Sequence, residues 1–132
     1  MTFVHRRRPT YAEVDQQGVV FHGHWLAYFD DAMTRFCDHL GFPPKDVFFS
    51  TFDVMVVKAT VEWQGPAGFD DEVEIAVLPV RLGTKSFDLE YRAAVAGRPV
   101  CTGIVTYVSV SPGNAESVEI PPDVRAAFER LV

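Results

Sequence analysis

The chain has 132 residues, of which 48% are hydrophobic and 23% charged, so we predict one globular domain over residues 1–132 and exclude wholesale disorder. Its formal net charge of −6 excludes a protein built throughout to neutralise nucleic-acid phosphates. Two cysteines without zinc-type spacing, and no run as long as a membrane span, predict a cytoplasmic protein with reduced thiols and no metal site.

The first half of the chain predicts a short strand and then a long helix. The strand covers Thr2–Arg8, is ended by Pro9, and has its arginines at a solvated sheet edge. A polar segment, Tyr11–Gly23, fits neither a strand nor a helix. Apolar residues then recur at steps of three and four until Gly41, and the run Trp25–Phe29 predicts that more than one helix face is buried. The main apolar face consists of Leu26, Phe29, Met33, Phe36 and Leu40.

The second half has the composition of strands. A β-branched run over Phe52–Gly65 predicts one strand, and Glu72–Arg81 predicts another in which apolar and polar residues alternate. Phe87–Val95 has the clearest period of two, Val100–Val110 is predicted as the last strand, and a short helix follows Pro121-Pro122. One long buried helix needs a sheet around it, so we predict an α+β domain in which a curved antiparallel sheet is wrapped around a central helix.

The segment before the long helix places a carboxylate, a glycine and an imidazole close together, as Asp15, Gly18 and His22. Free amides at a helix start can stabilise an oxyanion, and a nearby carboxylate can attack an acyl carbon or activate water. Taken alone, Asp15 also fits a turn cap, a frequent role of Asp ahead of Gly. His22 and His24 point apart as an i, i+2 pair, so they do not predict a metal site.

These residues carry a resemblance to the 4-hydroxybenzoyl-CoA thioesterase family of hot-dog proteins, including its Tol–Pal-associated acyl-CoA thioesterase branch. The matching pattern is Asp15-x-x-Gly18-Val-Val-Phe21-His22-x-x-Trp25-Leu-x-Tyr28-Phe29-Asp30. Later blocks, Val61–Asp71 and Thr84–Phe87, resemble the family in the expected order, so the resemblance covers nearly the whole chain. It implies the hot-dog fold and an acyl-CoA thioesterase that releases a free acid and CoA, with no cofactor beyond the CoA of its substrate.

The resemblance implies a catalytic role for four residues. Asp15 corresponds to the family's catalytic carboxylate, acting as nucleophile or general base, and the amide of His22 corresponds to the donor that polarises the thioester carbonyl. The His22 imidazole either takes part in the chemistry or only begins the helix. Tyr11 either orients the carboxylate or a water, or forms pocket wall. Gly18 lets the backbone approach the substrate without a side chain between them.

Four further residues match substrate-binding positions of the family. Lys85 matches a contact with CoA phosphates, assisted by Ser86, although an exposed turn lysine fits that position as well. Asp30 matches a residue that engages the substrate hydroxyl in the aromatic-specific enzyme. Many relatives differ from this chain around that position, so hydroxybenzoyl specificity does not follow. Trp25 is expected in core or dimer packing, or along an acyl tunnel.

We predict a thioester of CoA or of acyl-carrier protein as the substrate, and no nucleic-acid partner. Exposed sheet edges predict a homodimer, with a homotetramer of paired dimers as the larger alternative. The acyl group is not predicted. Two other functions stay open: a hot-dog dehydratase or hydratase that pairs His22 with Asp15 across a subunit boundary, and a non-catalytic protein that binds acyl thioesters.

Overall fold

A computed structural model describes residues 2–44 and 52–132 of the chain. Within these residues, five strands and two helices accompany two short 3-10 turns that precede the long helix. In chain order they are β1 (Phe3–Arg7), the turns Tyr11–Glu13 and His22–His24, α1 (Trp25–His39), β2 (Asp53–Trp63), β3 (Val73–Leu82), β4 (Ser86–Val95), β5 (Arg98–Val110) and α2 (Pro122–Glu129). Each predicted strand and helix is present, with its bounds shifted by a few residues at most.

The strands form one antiparallel sheet in the order β1-β3-β4-β5-β2. β3, β4 and β5 follow one another as hairpins, with Val73 opposite Val95 in the first of them. β2 does not pair with the strand that follows it. It lies beyond β5, where Asp53 is opposite Val110, and so forms one edge of the sheet. The alternation of apolar and polar residues predicts each strand but not their order in the sheet, because a pattern along one strand does not show which strand pairs with it.

α1 buries a wide apolar face, as the run of aromatic residues at its start predicts. Its buried residues are Trp25, Tyr28, Phe29, Ala32, Met33, Phe36 and Cys37. Leu26 was predicted on this face, but it is 47% exposed and the prediction was wrong for it. The buried face begins at Trp25, one residue earlier, and one residue is a turn of about 100° around a helix.

The Phe29 side chain of α1 packs directly against the backbone of Gly103 in β5. A Cβ built on Gly103 would lie 2.5 Å from the ring of Phe29, closer than nonbonded carbon atoms approach. Phe29 cannot easily withdraw, because it stacks on Tyr91 of β4 with ring centroids 4.8 Å apart and planes inclined by 13°. Glycine at position 103 therefore lets Phe29 of this helix pack against the sheet without a shift of either element.

Two buried tyrosine hydroxyls meet in the core. The oxygen atoms of Tyr91 on β4 and Tyr107 on β5 are 2.5 Å apart, and burial raises the pKa of both groups, so both stay protonated at neutral pH. We expect Tyr107→Phe to lower the free energy of unfolding by about 1–3 kcal/mol, because the Tyr91 hydroxyl is then buried without this partner. Urea unfolding should show the double variant with Tyr91→Phe recovering part of that loss. Strictly additive losses would contradict this assignment.

Candidate active site

A small hairpin between β1 and α1 presents Asp15, and we call residues Glu13–Phe21 the carboxylate hairpin. Val14 and Val20 form an isolated bridge across it, and the Asp15 N–H donates to the Val19 carbonyl at 2.9 Å. The Val20 N–H donates to the carbonyl of Ala67 at 2.8 Å, in the connection between β2 and β3. The hairpin is therefore attached to the sheet at the end where β3 begins.

The Asp15 side chain takes part in the turn that it begins. Its Oδ1 accepts a hydrogen bond from the Gln17 N–H at 2.8 Å, and its carbonyl accepts one from the Gly18 N–H at 2.9 Å. Asp15 does therefore cap a turn, as the simpler interpretation of the sequence requires. That bond occupies one oxygen only. Within the described residues Oδ2 of this partly buried carboxylate has no hydrogen bond, so it is free for chemistry.

Gly18 shapes the hairpin through its backbone conformation. Its φ is +77°, in the left-handed region that glycine adopts without strain. A Cβ at this position would meet no atom of the described protomer within 4 Å, so internal crowding does not require the glycine. The turn itself therefore accounts for Gly18, whereas the predicted close approach of a substrate stays a prediction.

Asp15 lines an open cavity of about 730 Å³, which we call the carboxylate cavity. Tyr11 and Phe69 also line it, and they are 84% and 57% exposed with ring centroids 6.3 Å apart, edge to face. Gln16 and Gly18 are further lining residues. The structure thus brings three of the four predicted catalytic residues together, beside an exposed aromatic pair suited to contacting a ligand.

His22 lies near the hairpin but does not line the carboxylate cavity. It begins the turn His22–His24, which continues directly into α1, and the first amides of a helix have no partner inside it. The exposed imidazole lies against Phe21, with ring centroids 4.3 Å apart, and edge to face with Trp63 at 6.4 Å. No hydrogen bond joins His22 to Asp15 in the part of the chain that the structure describes, so no such pair forms within one protomer.

Asp30 and Trp25 are also separate from the carboxylate cavity. Asp30 lines a groove of about 310 Å³ between α1 and the edge strand β2, together with Leu26, Val56 and Tyr107. Burial raises the pKa of the Asp30 carboxyl. Trp25 is buried in the core. In one protomer Trp25 is thus a packing residue, and a substrate contact by either residue stays a prediction.

Lys85 and Ser86 lie at the other end of the sheet from the carboxylate hairpin. The hairpin is bonded to the connection just before β3, whereas Lys85 follows the far end of that ten-residue strand. At ~3.3 Å per residue, β3 spans about 30 Å. Lys85 is exposed, and the Ser86 hydroxyl accepts a hydrogen bond from Arg81 at 2.9 Å. These two residues therefore lie far along the sheet from Asp15, and their predicted contact with CoA stays a prediction.

Sequence reasoning missed Phe69 and Glu13. Phe69 lies in a connection between strands, where no periodic pattern marks it as part of a cavity. Glu13 accepts a hydrogen bond from the Thr10 N–H at 2.9 Å. That contact has a sequence signature, because Thr-x-x-Glu is the pattern of a reciprocal N-terminal cap. The pattern could have identified Glu13 as the residue that holds the start of this turn.

Comparison with known proteins identifies both the fold and the family. The sheet with one long helix against it is the hot-dog fold predicted from the sequence. The family described as the thioesterase-like superfamily matches residues 9–128, and the chain therefore belongs to that superfamily. This membership confirms the resemblance stated above and the enzyme class, thioester hydrolase.

Several relatives match over almost their full length. Acyl-CoA thioester hydrolase YbgC of Escherichia coli is 27% identical, and the match covers 93% of this chain and 92% of that protein. A putative esterase of Aquifex aeolicus is 28% identical, with 94% and 95% covered. Among solved structures, the gentisyl-coenzyme A thioesterase BH1999 is 29% identical with a TM-score of 0.88, over 96% of this chain and 99% of that chain.

The described residues were also compared with the requirements of a membrane span and of a metal site. None of their helices is both long and apolar enough to cross a membrane. No three of their His, Cys, Asp and Glu side chains are grouped as ligands for a metal ion. The predicted absence of a cofactor stays a prediction.

Proposed function

We propose that this chain hydrolyses an acyl-CoA thioester to a free acid and CoA, with Asp15 as the catalytic carboxylate. The observation that carries the proposal is the position of Asp15, which has an unoccupied oxygen in an open cavity on a hairpin directly before α1. The relatives named as acyl-CoA thioester hydrolase and gentisyl-coenzyme A thioesterase support CoA as the group that carries the acyl chain.

The free oxygen of Asp15 either removes a proton from water as the water attacks the thioester carbon, or attacks that carbon itself. Amides at the start of α1, including that of His22, stabilise the oxyanion that forms on the carbonyl oxygen. The carbon–sulfur bond then breaks, and CoA leaves as a thiol once its sulfur takes up a proton. In the direct route the acyl group forms an anhydride with Asp15, which water hydrolyses to free acid and aspartate.

A second copy of the chain would complete the site. β2 is an edge strand of eleven residues, and its Met55, Val56 and Val57 are all exposed. Pairing of β2 with β2 of a second copy satisfies the unpaired edge and has the twofold symmetry of a homodimer. It also covers the groove between α1 and β2. We assign the CoA contacts of Lys85 and Ser86 to another copy, in a dimer or a tetramer.

The dimer has a direct test in solution. Val57→Lys places a charge on the exposed edge and is expected to shift the mass measured by light scattering from dimer to monomer. Ile104→Lys is the control, because Ile104 is also an exposed apolar residue but lies on β5, where it is paired with Glu90 of β4 on one side and Thr60 of β2 on the other. An unchanged dimer in Val57→Lys, or a monomeric wild-type protein, would contradict pairing through β2.

A panel of thioesters tests the function itself. We expect release of free thiol from at least one of short aliphatic, long aliphatic or aromatic acyl-CoA, with the same acyl groups on acyl-carrier protein as a comparison. Hydration of an enoyl-CoA without thiol release would favour the dehydratase or hydratase. Tight binding of acyl-CoA without any turnover would favour a binding protein. The cytoplasmic compartment stays a prediction.

A further inference from the structure

One glutamate behind the carboxylate hairpin joins three parts of the chain. Arg7 of β1 donates from Nη2 to both carboxylate oxygens of Glu13, at 2.8 and 3.0 Å. The hydroxyl of Tyr28 on α1 donates to Oε1 of Glu13 at 3.0 Å, and the Thr10 N–H donates to the same oxygen at 2.9 Å. The Arg7 guanidinium also lies over the Tyr28 ring, 3.9 Å from its centroid. Glu13 therefore fastens the turn before Asp15 to both a strand and the long helix.

This cluster is largely shielded from water. Tyr28 is fully buried, and the side chains of Arg7 and Glu13 are only 23% and 22% exposed. Burial opposes ionisation of Glu13, but the hydrogen bonds from Thr10 and Tyr28 and the charge of Arg7 hold the pKa of Glu13 below its ordinary value. Glu13 is therefore ionised at neutral pH, and charge-assisted hydrogen bonds of this kind are stronger and more directional than neutral ones.

The backbone of the same residue forms the base of the carboxylate hairpin. The Glu13 carbonyl accepts a hydrogen bond from the Phe21 N–H at 3.0 Å. Asp15 follows Glu13 by two residues, and His22 follows Phe21 by one. The side chain of Glu13 thus holds α1 while its backbone holds both arms of the hairpin. Movement of Glu13 away from α1 would shift Asp15 relative to the helix start.

We propose that Glu13 is a positioning residue that sets the place of the Asp15 carboxylate relative to the helix-start amide of His22. Glu13 does not touch the reacting atoms, because its carboxylate is occupied by Arg7, Thr10 and Tyr28. An effect of Glu13 on the rate of thioester hydrolysis rests on the proposed function of Asp15. An effect of Glu13 on the order of the carboxylate hairpin is independent of that function and can be measured separately.

Glu13→Gln tests the kinetic consequence, because it preserves the size of the side chain and removes the charge that Arg7 pairs with. We expect kcat for thiol release to fall by about tenfold to a hundredfold with little change in KM, since a misplacement of ~1 Å can cost that much. The double variant with Tyr28→Phe should lose less than the product of the two single effects, because both act through one cluster. Glu129→Gln is the control, since it breaks the pair with Arg125 of α2 at 3.6 Å, and Arg125 bonds the Gly83 carbonyl beyond the other end of β3.

Amide hydrogen exchange tests the structural consequence. In Glu13→Gln we expect faster exchange across residues 14–22, with exchange in β4 and β5 unchanged. A folded variant with wild-type kcat and wild-type exchange overturns the proposal. Faster exchange through the whole domain also overturns it, because Glu13 would then stabilise the fold without positioning the hairpin. If the wild-type protein releases no thiol from any substrate, the proposed function fails, and exchange in residues 14–22 alone decides whether Glu13 orders the hairpin.

Discussion

Replacing Asp15 with Asn is expected to lower kcat for thioester hydrolysis by about 10²- to 10⁴-fold while the protein stays folded. Asn keeps a side-chain oxygen that can accept the Gln17 N–H, so the turn is preserved. The neutral amide can neither remove a proton from water nor attack an acyl carbon as a carboxylate does. Thiol release at saturating acyl-CoA measures the loss, and circular dichroism checks the fold.

Asp38→Asn is the matched control for this experiment. Asp38 is an exposed aspartate near the end of α1, where it lies 3.5 Å from Arg35, and its replacement is expected to leave kcat unchanged. The two variants make the same chemical change and differ only in position. Wild-type activity in Asp15→Asn would mean that Asp15 is a turn cap and that another group carries the reaction.

Replacing Gly103 with Ala is expected to lower the free energy of unfolding by about 1–3 kcal/mol. The added methyl group would lie 2.5 Å from the ring of Phe29, and that ring is held by stacking on Tyr91. Alanine restricts the unfolded chain and so offers about 0.4–1 kcal/mol of stabilisation, which is smaller than the expected cost of overpacking. Urea unfolding with an unchanged m-value measures the difference.

Two further variants check the cause of that loss. A Cβ on Gly65 would meet mainly the end of the flexible Arg98 side chain, at 3.0 Å, so Gly65→Ala should change stability little. Phe29→Leu combined with Gly103→Ala should be more stable than the sum of the two single losses predicts, since the smaller side chain vacates the contested space. Full wild-type stability in Gly103→Ala would contradict a tight contact between α1 and β5.

The elements of this fold follow from local pattern, and their arrangement does not. Alternation in β4 predicts which residues are buried, because successive strand side chains point to opposite faces. The recurrence of apolar residues every three or four positions predicts α1, and Gly41 predicts where it ends. The predicted buried face was wrong at Leu26, which is exposed. The position of β2 beyond β5 depends on which strands pair, and pairing is a property of the assembled sheet.

In the candidate site, too, the local parts could be predicted from sequence and the contacts between distant residues could not. The spacing of Asp15, Gly18 and His22 is local, so sequence alone could single out the hairpin and the helix start. Glu13 acts through Arg7 and Tyr28, which lie six residues before it and fifteen after it, and only the fold shows that they meet. The separation of Lys85 from the hairpin likewise depends on the direction of β3, which no residue spacing reports.

A single-turnover reaction in ¹⁸O-labelled water, with enzyme in excess over an acyl-CoA that it turns over, tests the central claim most directly. Hydrolysis at Asp15 predicts one free CoA thiol and one free acid per acyl-CoA consumed. It also predicts one ¹⁸O atom, in the acid if Asp15 activates water, and in the acid or in Asp15 if Asp15 is the nucleophile. An acyl group that remains joined to CoA, with ¹⁸O incorporated as a new hydroxyl or not at all, would contradict it.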